Sequence, residues 1–266
     1  MELDIYQVDS FTSVTFKGNP AGVCITQKPL SEGLMLSIAK EMALSETAFL
    51  SLEEMNLRWF TPEVEVKLCG HGTLAVAHIL KEQGKLTVGH KTSFHTLSGE
   101  LTVNALHHGY ELDFPSPTLA YNAKLSGQKR VALGLSEQQI ISVCDFENKQ
   151  LIEVIDETTI VNLNPDFSSL VAEAGRGIIV TSHASNQNYD IVSRYFAPWV
   201  GVNEDPVTGS AHCALSAYWS EKLHKDKLTA YQASARGGYV HMEQLENDRV
   251  KLTGQAVTSL KGTLFV

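Results

Sequence analysis

Sulfur is sparse in this chain. Its 266 residues hold four cysteines, Cys24, Cys69, Cys144 and Cys213, widely spaced and without a CxxC pair. That spacing excludes a disulfide framework and a zinc ribbon, and it fits a reducing compartment. Long apolar runs are also missing: none reaches the ~18 residues that a membrane helix requires. The opening Met1-Glu2-Leu3-Asp4 is acidic and lacks the basic and apolar stretches of a secretory leader, so the expected address is cytoplasmic. Positive charge is in deficit, with 21 Lys and Arg against 30 Asp and Glu and a net charge of −9. A broad basic face is therefore unavailable, which argues against nucleic acid or an anionic membrane as partner. No GxxxxGK[ST] run exists, which removes a P-loop, and no stretch is of low complexity.

What is present is an ordinary globular composition, 43% hydrophobic and 19% charged, over a length that suits one large domain or two small ones. Short strand patterns dominate. Leu3–Val8 and Ala21–Thr26 read as strands separated by the turn signal Gly18-Asn19-Pro20. Ser31–Leu44 reads as a helix capped by Ser31, with Leu34, Ile38 and Met42 on one face. Thr47–Leu52 and Leu57–Phe60 read as strands, and Gly72–Gln83 as a helix stopped by Gly84. Three more strands precede Pro115-Ser116-Pro117, where two prolines bracket a connector. Beyond it, Leu151–Ile155, Gly177–Thr181 and Tyr189–Phe196 read as strands and Thr208–Leu223 as a long helix. Four short strands close the chain. The expected division is residues 1–117, with the last strand near 258–266 crossing back to them, and residues 118–257.

The chain also repeats itself. Arg58-Trp59-Phe60-Thr61-Pro62-Glu63-Val64-Glu65-Val66 aligns with Arg194-Tyr195-Phe196-Ala197-Pro198-Trp199-Val200-Gly201-Val202 at an offset of 136 residues. Each segment then runs through a glycine-containing loop into a helix, Cys69-Gly70-His71-Gly72-Thr73 in the first and Asp205-Pro206-Val207-Thr208-Gly209-Ser210 in the second. This order of strand, proline corner and glycine loop predicts two similar lobes, each presenting a helix N-terminus. Such termini carry unpaired amides and partial positive charge, so a carboxylate-bearing ligand is expected there.

Several residues carry candidate chemistry. Gly70–Ala75 matches a relaxed dinucleotide fingerprint, but no acidic residue follows about 20 residues on, so a nicotinamide cofactor is not expected. The ten histidines form no HExxH or closed Cys/His motif, and no metal is expected. His71 stands out because it lies within the glycine loop at a helix start. Glu46 lies between a helix and the mouth of a strand. Asp205 precedes the second helix, and Ser210 is a candidate cap for it. Cys69, near a helix N-terminus, is a candidate thiolate, with burial as a small apolar residue the competing reading. Cys213, one turn into the second helix, reads as core.

The ordered set Gly18-Asn19-Pro20-Ala21, Leu44-Ser45-Glu46-Thr47-Ala48-Phe49, Phe60-Thr61-Pro62, Cys69-Gly70-His71-Gly72-Thr73 and Glu204-Asp205-Pro206-Val207-Thr208-Gly209-Ser210-Ala211 resembles the PhzF-like (phenazine-biosynthesis-like) isomerase family. The resemblance spans most of the chain, and Gln232 to Gly238 is similar to the family's late glutamine and Arg-Gly segment. It implies an α+β fold of the diaminopimelate-epimerase type: two similar lobes, each a curled, mostly antiparallel sheet around a central helix, with the site between them. It implies cofactor-free, metal-free chemistry in a homodimer.

On that resemblance Glu46 moves a proton, with His71 and Asp205 also catalytic. Ser45, Gly70, Gly72, Thr73, Thr208, Gly209 and Ser210 are then the substrate-binding set. The expected function is a cofactor-independent isomerase that shifts a proton, and with it a double bond, in a small carboxylate-bearing metabolite. Two other readings stand beside it. One is a metabolite-binding protein on the same scaffold. The other is a two-base amino-acid racemase or epimerase using Cys69 and Asp205, since the wider fold includes racemases with one cysteine from each lobe.

Overall fold

The computed structural model describes residues 1–266 and resolves into two compact units, Met1–Asp113 with Lys251–Val266, and Phe114–Val250. The first unit begins with strands β1 (Glu2–Ser10) and β2 (Asn19–Thr26), an antiparallel pair. Helix α1 (Glu32–Met42) follows, capped by the Ser31 hydroxyl and ended by Ala43 in the left-handed conformation. Strand β3 (Thr47–Ser51) lies parallel to β2, and β4 (Asn56–Phe60) is antiparallel to β3. The short β5 (Glu65–Val66) folds back on β4 and leads into α2 (Gly70–Glu82). Strands β6 (Lys91–Thr96), β7 (Gly99–Leu106) and β8 (Gly109–Pro115) form a meander beyond it.

The second unit repeats this plan. Strand β9 (Ala120–Tyr121) pairs with β10 (Ile140–Phe146), which is antiparallel to β11 (Lys149–Val154). Helix α3 (Gly127–Leu133) lies between β9 and β10; α4 (Glu157–Val161) and α5 (Phe167–Val171) follow β11. Strand β12 (Gly177–His183) is parallel to β11, and β13 (Ile191–Ala197) is antiparallel to β12. A 3₁₀ turn at Pro198–Val200 and β14 (Val202–Asp205) lead into α6 (Gly209–Leu223). Strands β15 (Lys227–Gln232) and β16 (Gly238–Leu245) complete it; β17 (Arg249–Gly254) carries the chain back to the first unit, where β18 (Ala256–Phe265) pairs with β1.

The central strands are buried on both faces, which explains why β3 and β12 read as continuous apolar runs. In the first unit α1 covers one face through Met35, Ile38 and Ala39 against Ile5, Phe49 and Phe60. In the second, α3 to α5 supply Leu133, Ile160 and Leu170 against Ile178, Val180, Val192 and Phe196. Helices α2 and α6 are buried more completely: Leu74, Ala75, Val76 and Ala77 are all inaccessible to solvent.

The expected boundary at residue 117 lies in practice after Asp113, and the return begins at Lys251 rather than near 258. The reason is packing. Lys251 pairs with Glu111 at 3.5 Å, and Gly254 lies against Phe11 and Leu74 so closely that a Cβ there would sit 2.5 Å from the Phe11 ring.

The internal repeat is visible in side chains. Arg58 donates through Nε to Glu65 at 2.7 Å, and Arg194 through Nε to Glu204 at 2.7 Å. Each arginine also lies over the phenylalanine two residues on, 5.1 Å from Phe60 and 4.9 Å from Phe196. The paired glutamates are 139 residues apart, not 136, because the corner at Pro198 is three residues longer than its counterpart. Strand pairing sets Trp59 opposite Val66 and Tyr195 opposite Asp205. Asp205 therefore corresponds to Val66, and the counterpart of Cys69 is Thr208, which corrects the constant offset expected from sequence.

Arg194 is the more deeply held arginine, with Nη1 also donating to the carbonyls of Ile160 at 3.2 Å and Leu163 at 2.7 Å. Removing it strands a half-buried carboxylate and two carbonyls. Arg194→Ala should cost about 3–5 kcal/mol, the range for breaking one side of a buried pair, read as a lowered urea midpoint. An unchanged midpoint would show that the fork carries no stability.

Candidate active site

Helix α2 starts one residue after Cys69, so Gly70, His71 and Gly72 form its first turn and not a loop. Cys69 is the cap. Its Sγ accepts from the Gly72 amide at 3.4 Å, and its carbonyl accepts the Thr73 amide at 3.0 Å and the Thr73 hydroxyl at 2.7 Å. Glycine is required at position 72: a Cβ would lie 2.9 Å from the Trp59 ring and 3.0 Å from Cys69 Sγ. The turn is also tied from outside, since the Ser10 hydroxyl donates to the His71 carbonyl at 2.8 Å. Ser10 reaches that carbonyl at the end of β1, where Gly18 packs so tightly on the Ser10 carbonyl, at φ +63°, that a Cβ would sit 2.1 Å away. This is the structural use of the Gly18-Asn19-Pro20 signal.

Glu46 comes from the other side of the same unit, in the short connection between α1 and β3. Its carbonyl accepts the Gly22 amide at 3.1 Å, which fixes the backbone. Its carboxylate reaches His71, with Oε2 3.4 Å from Nε2. The thiol of Cys69 lies beside the same ring, 3.5 Å from Nδ1 and 3.9 Å from Nε2. Glu46, His71 and Cys69 thus form one cluster, with the two latter side chains buried and Glu46 about one-fifth exposed. Next to it, Ser45 Oγ and Trp59 Nε1 are buried without a hydrogen-bond partner.

In the second unit the expected residues are also drawn together. Asp205 ends β14, and its carboxylate accepts from the Thr208 hydroxyl. Gln232, fully buried, clamps that turn: its Nε2 donates to the Asp205 carbonyl at 2.6 Å and its Oε1 accepts the Thr208 amide at 2.9 Å. Ser210 is not the cap of α6; Thr208 holds that position and Ser210 is an exposed residue of the first turn.

The expectation that the two helix N-termini offer unpaired amides to a carboxylate narrows accordingly. Gly72 and Thr73 spend theirs on Cys69, and Thr208 spends its own on Gln232. The amides left without an intrahelical acceptor or a side-chain cap are those of Gly70 and His71 in α2, and of Gly209, Ser210 and Ala211 in α6.

Two residues here escaped the reading of the sequence. Tyr195, the counterpart of Trp59, places its hydroxyl against Gly177, where a Cβ would sit 2.1 Å from it. Burial, then the nearby Asp205 charge, pushes its hydroxyl up to about 12. His212, inaccessible to solvent, has Nδ1 2.7 Å from the Thr208 carbonyl. A carbonyl only accepts, so Nδ1 carries the proton and Nε2 is a bare nitrogen with no partner. Burial holds this imidazole down to about 4, against a partial upward pull from that hydrogen bond. No motif marks either residue.

The His212 shift has a definite sign. The unfolded chain takes up this proton near pH 6.5 and the folded protein only near 4. Its contribution to stability is present above 6.5 and is lost as pH falls toward 4, at up to about 1.4 kcal/mol per pH unit. Urea titrations at pH 7, 6, 5 and 4 should show a shallower pH dependence in His212→Asn than in the wild type. Parallel curves would remove His212 as the source.

Comparison with known proteins gives a consistent relationship. The family model described as "Phenazine biosynthesis-like protein" (PhzC-PhzF) matches residues 8–262. An uncharacterized isomerase of Halalkalibacterium halodurans is 47% identical over 100% of both chains, and one of Pseudomonas aeruginosa is 43% identical over 100% of both. The crystal structure of a PhzF-family phenazine biosynthesis protein from Enterococcus faecalis superposes with a TM-score of 0.92 at 40% identity, covering 100% of both chains. A hydroxyproline epimerase from Agrobacterium vitis shares the fold at TM-score 0.63 and 9% identity, over 99% of this chain and 92% of its own.

Proposed function

From the premise that the chain belongs to the PhzC-PhzF, phenazine-biosynthesis-like family, we propose that it is an isomerase that shifts a proton within a small carboxylate-bearing metabolite. The observation that carries this reading is the contact between Glu46 Oε2 and His71 Nε2, 3.4 Å apart, with the first turn of α2 beside them. Relatives named as isomerases support the class of reaction.

In the forward step the Glu46 carboxylate removes a proton from a substrate carbon. The C–H electron pair forms the new double bond, and the old double bond gives up its pair to its far carbon. That carbon then takes the proton back from the Glu46 carboxylic acid, so atoms and charge balance with no outside reductant, oxidant or cofactor. His71 holds Glu46 in place between the two transfers and is the nearest group able to share the proton. The amides of Gly70 and His71, at the positive end of α2, suit a substrate carboxylate. In the second unit Asp205 and the amides of Gly209 and Ser210 are the corresponding polar groups at the start of α6.

A second reading draws on Cys69, whose thiol lies 3.5 Å from His71. In a two-base racemase one group removes a proton from one face of a carbon and another delivers to the opposite face. Racemases with two thiols would place the second at the counterpart of Cys69. That position is Thr208 here, so Asp205 would have to serve.

Solvent exchange separates the readings. In heavy water, with a panel of small unsaturated and amino carboxylates, the wild type should wash deuterium into one compound, detected by mass spectrometry. Glu46→Gln should lower that rate by ~10²–10⁴-fold or more, the usual worth of a placed acid–base group. Full exchange in the glutamine variant overturns the assignment. Cys69→Ser, which keeps a capping side chain, should lose less than about tenfold on the proton-shift reading, where a two-base mechanism loses at least the ~10² worth of its base. Compounds that raise the melting temperature without exchanging would instead favour a metabolite-binding protein.

A further inference from the structure

Ligand atoms of Glu46, Cys69 and His71 all lie within 4.8 Å of one another, and the chain has no other group of three such donors. Thiolate, imidazole and carboxylate are the three donor types of zinc sites, at about 2.0–2.3 Å from the ion. Donors at those lengths around a tetrahedral ion stand roughly 3.3–3.7 Å apart. Here His71 Nε2 is 3.4 Å from Glu46 Oε2 and 3.9 Å from Cys69 Sγ. Two edges of the ligand triangle are thus at coordination length or within a few tenths of an ångström. The third edge, from Glu46 to Cys69, is at most 4.8 Å, and Glu46 is the least buried of the three.

The surroundings favour the ligating forms. The Gly72 amide points at Sγ from the first turn of α2, where the helix terminus stabilises a thiolate. The Ser10 hydroxyl holds the His71 backbone from behind. The other thiols are poor competitors: Cys24, Cys144 and Cys213 are buried, and burial pushes Cys24 and Cys213 up to about 12.

We propose that Glu46, Cys69 and His71 bind one borderline-soft divalent cation of the Zn²⁺ type, through a carboxylate oxygen, Sγ and Nε2, and that this ion inhibits the protein. The fourth position is open to water. Binding releases the Cys69 thiol proton to solvent as the S–metal bond forms. It also occupies the Glu46 lone pair that has to receive the substrate proton. The binding half stands on geometry alone; the inhibitory half rests on the proton-shift reading above.

Co²⁺ serves as the visible probe. Metal-stripped protein titrated with Co²⁺ should develop a thiolate-to-cobalt charge-transfer band that saturates at one equivalent and is bleached by one equivalent of Zn²⁺. Cys69→Ser should abolish the band. His71→Gln and Glu46→Gln should weaken cobalt binding by at least tenfold, since even an outer partner of a metal ligand is worth ~10–100-fold. Circular dichroism and melting curves keep each variant comparable with the wild type. No band in the folded wild type, or unchanged affinity in His71→Gln and Glu46→Gln, overturns the site. One equivalent of Zn²⁺ should also suppress deuterium wash-in at least tenfold. Cobalt binding with exchange indifferent to Zn²⁺ keeps the site and overturns the inhibition. Cobalt binding in a protein that exchanges nothing, over the whole carboxylate panel, keeps the site and counts against the proton-shift reading.

Discussion

A helix buried on almost every side cannot begin in water, and that constraint organises both units. The apolar bodies of α2 and α6 are sealed inside their sheets, so the first turns are drawn in with them. Amides at a helix start have no intrahelical acceptor, and a buried, unpaired amide costs about 1–3 kcal/mol. The first unit meets part of the demand with a thiol, Cys69, which accepts the Gly72 amide, while the Ser10 hydroxyl ties down the His71 carbonyl. In the second, buried Gln232 accepts the Thr208 amide just ahead of α6, and the Thr208 hydroxyl donates to Asp205 and caps none of the first-turn amides. The same positively poled turns are what a small anion would seek. The polar residues near them are therefore consequences of how the cores are built as well as candidates for chemistry.

The two copies have diverged where it matters chemically. Thr47 stands opposite Phe60, and Ile178 opposite Phe196, so Gly177 occupies the place that Glu46 holds in the first unit. Trp59 becomes Tyr195, whose hydroxyl fills the space over Gly177. Cys69 becomes Thr208. The Arg–Glu fork and the phenylalanine beneath it are kept in both copies. The scaffold is duplicated and the carboxylate of Glu46 is not. The proposed one-carboxylate proton shift fits that asymmetry, because it asks one unit alone for the base.

Much of this was readable in the residues. Arginine, phenylalanine and proline at matched spacing revealed the repeat, because the fork and the corner require those side chains in any copy. Ser31 and Gly84 marked helix ends by their local chemistry, independent of tertiary packing. The three-residue insertion after Pro198 was invisible: alignment by letter favoured Val200 and Val202, whereas strand pairing follows Glu204. Helices α3 to α5 went unread because each is seven residues or shorter, too short to show a full amphipathic period, and is held by burial of a few side chains. Gln232, Tyr195 and His212 act through contacts made only after folding. Ser210 looked like a cap because serine favours that position, yet the backbone enters the helix two residues earlier, at Thr208.

A carboxylate, an imidazole and a thiol in mutual contact present one physical problem with two solutions. A general base has to keep a lone pair free for a proton that arrives and leaves in each turnover, whereas a metal ligand gives that lone pair up. Both demands are met by desolvation, which strengthens charge interactions on Glu46 and Cys69 alike. The thiol is the group that divides them. A proton shift through Glu46 needs a hydrogen-bond cap at position 69, and serine or asparagine serves that purpose well. A cysteine there adds little to capping and much to affinity for soft cations. The identity of residue 69, more than that of Glu46 or His71, is thus what exposes this site to metal ions.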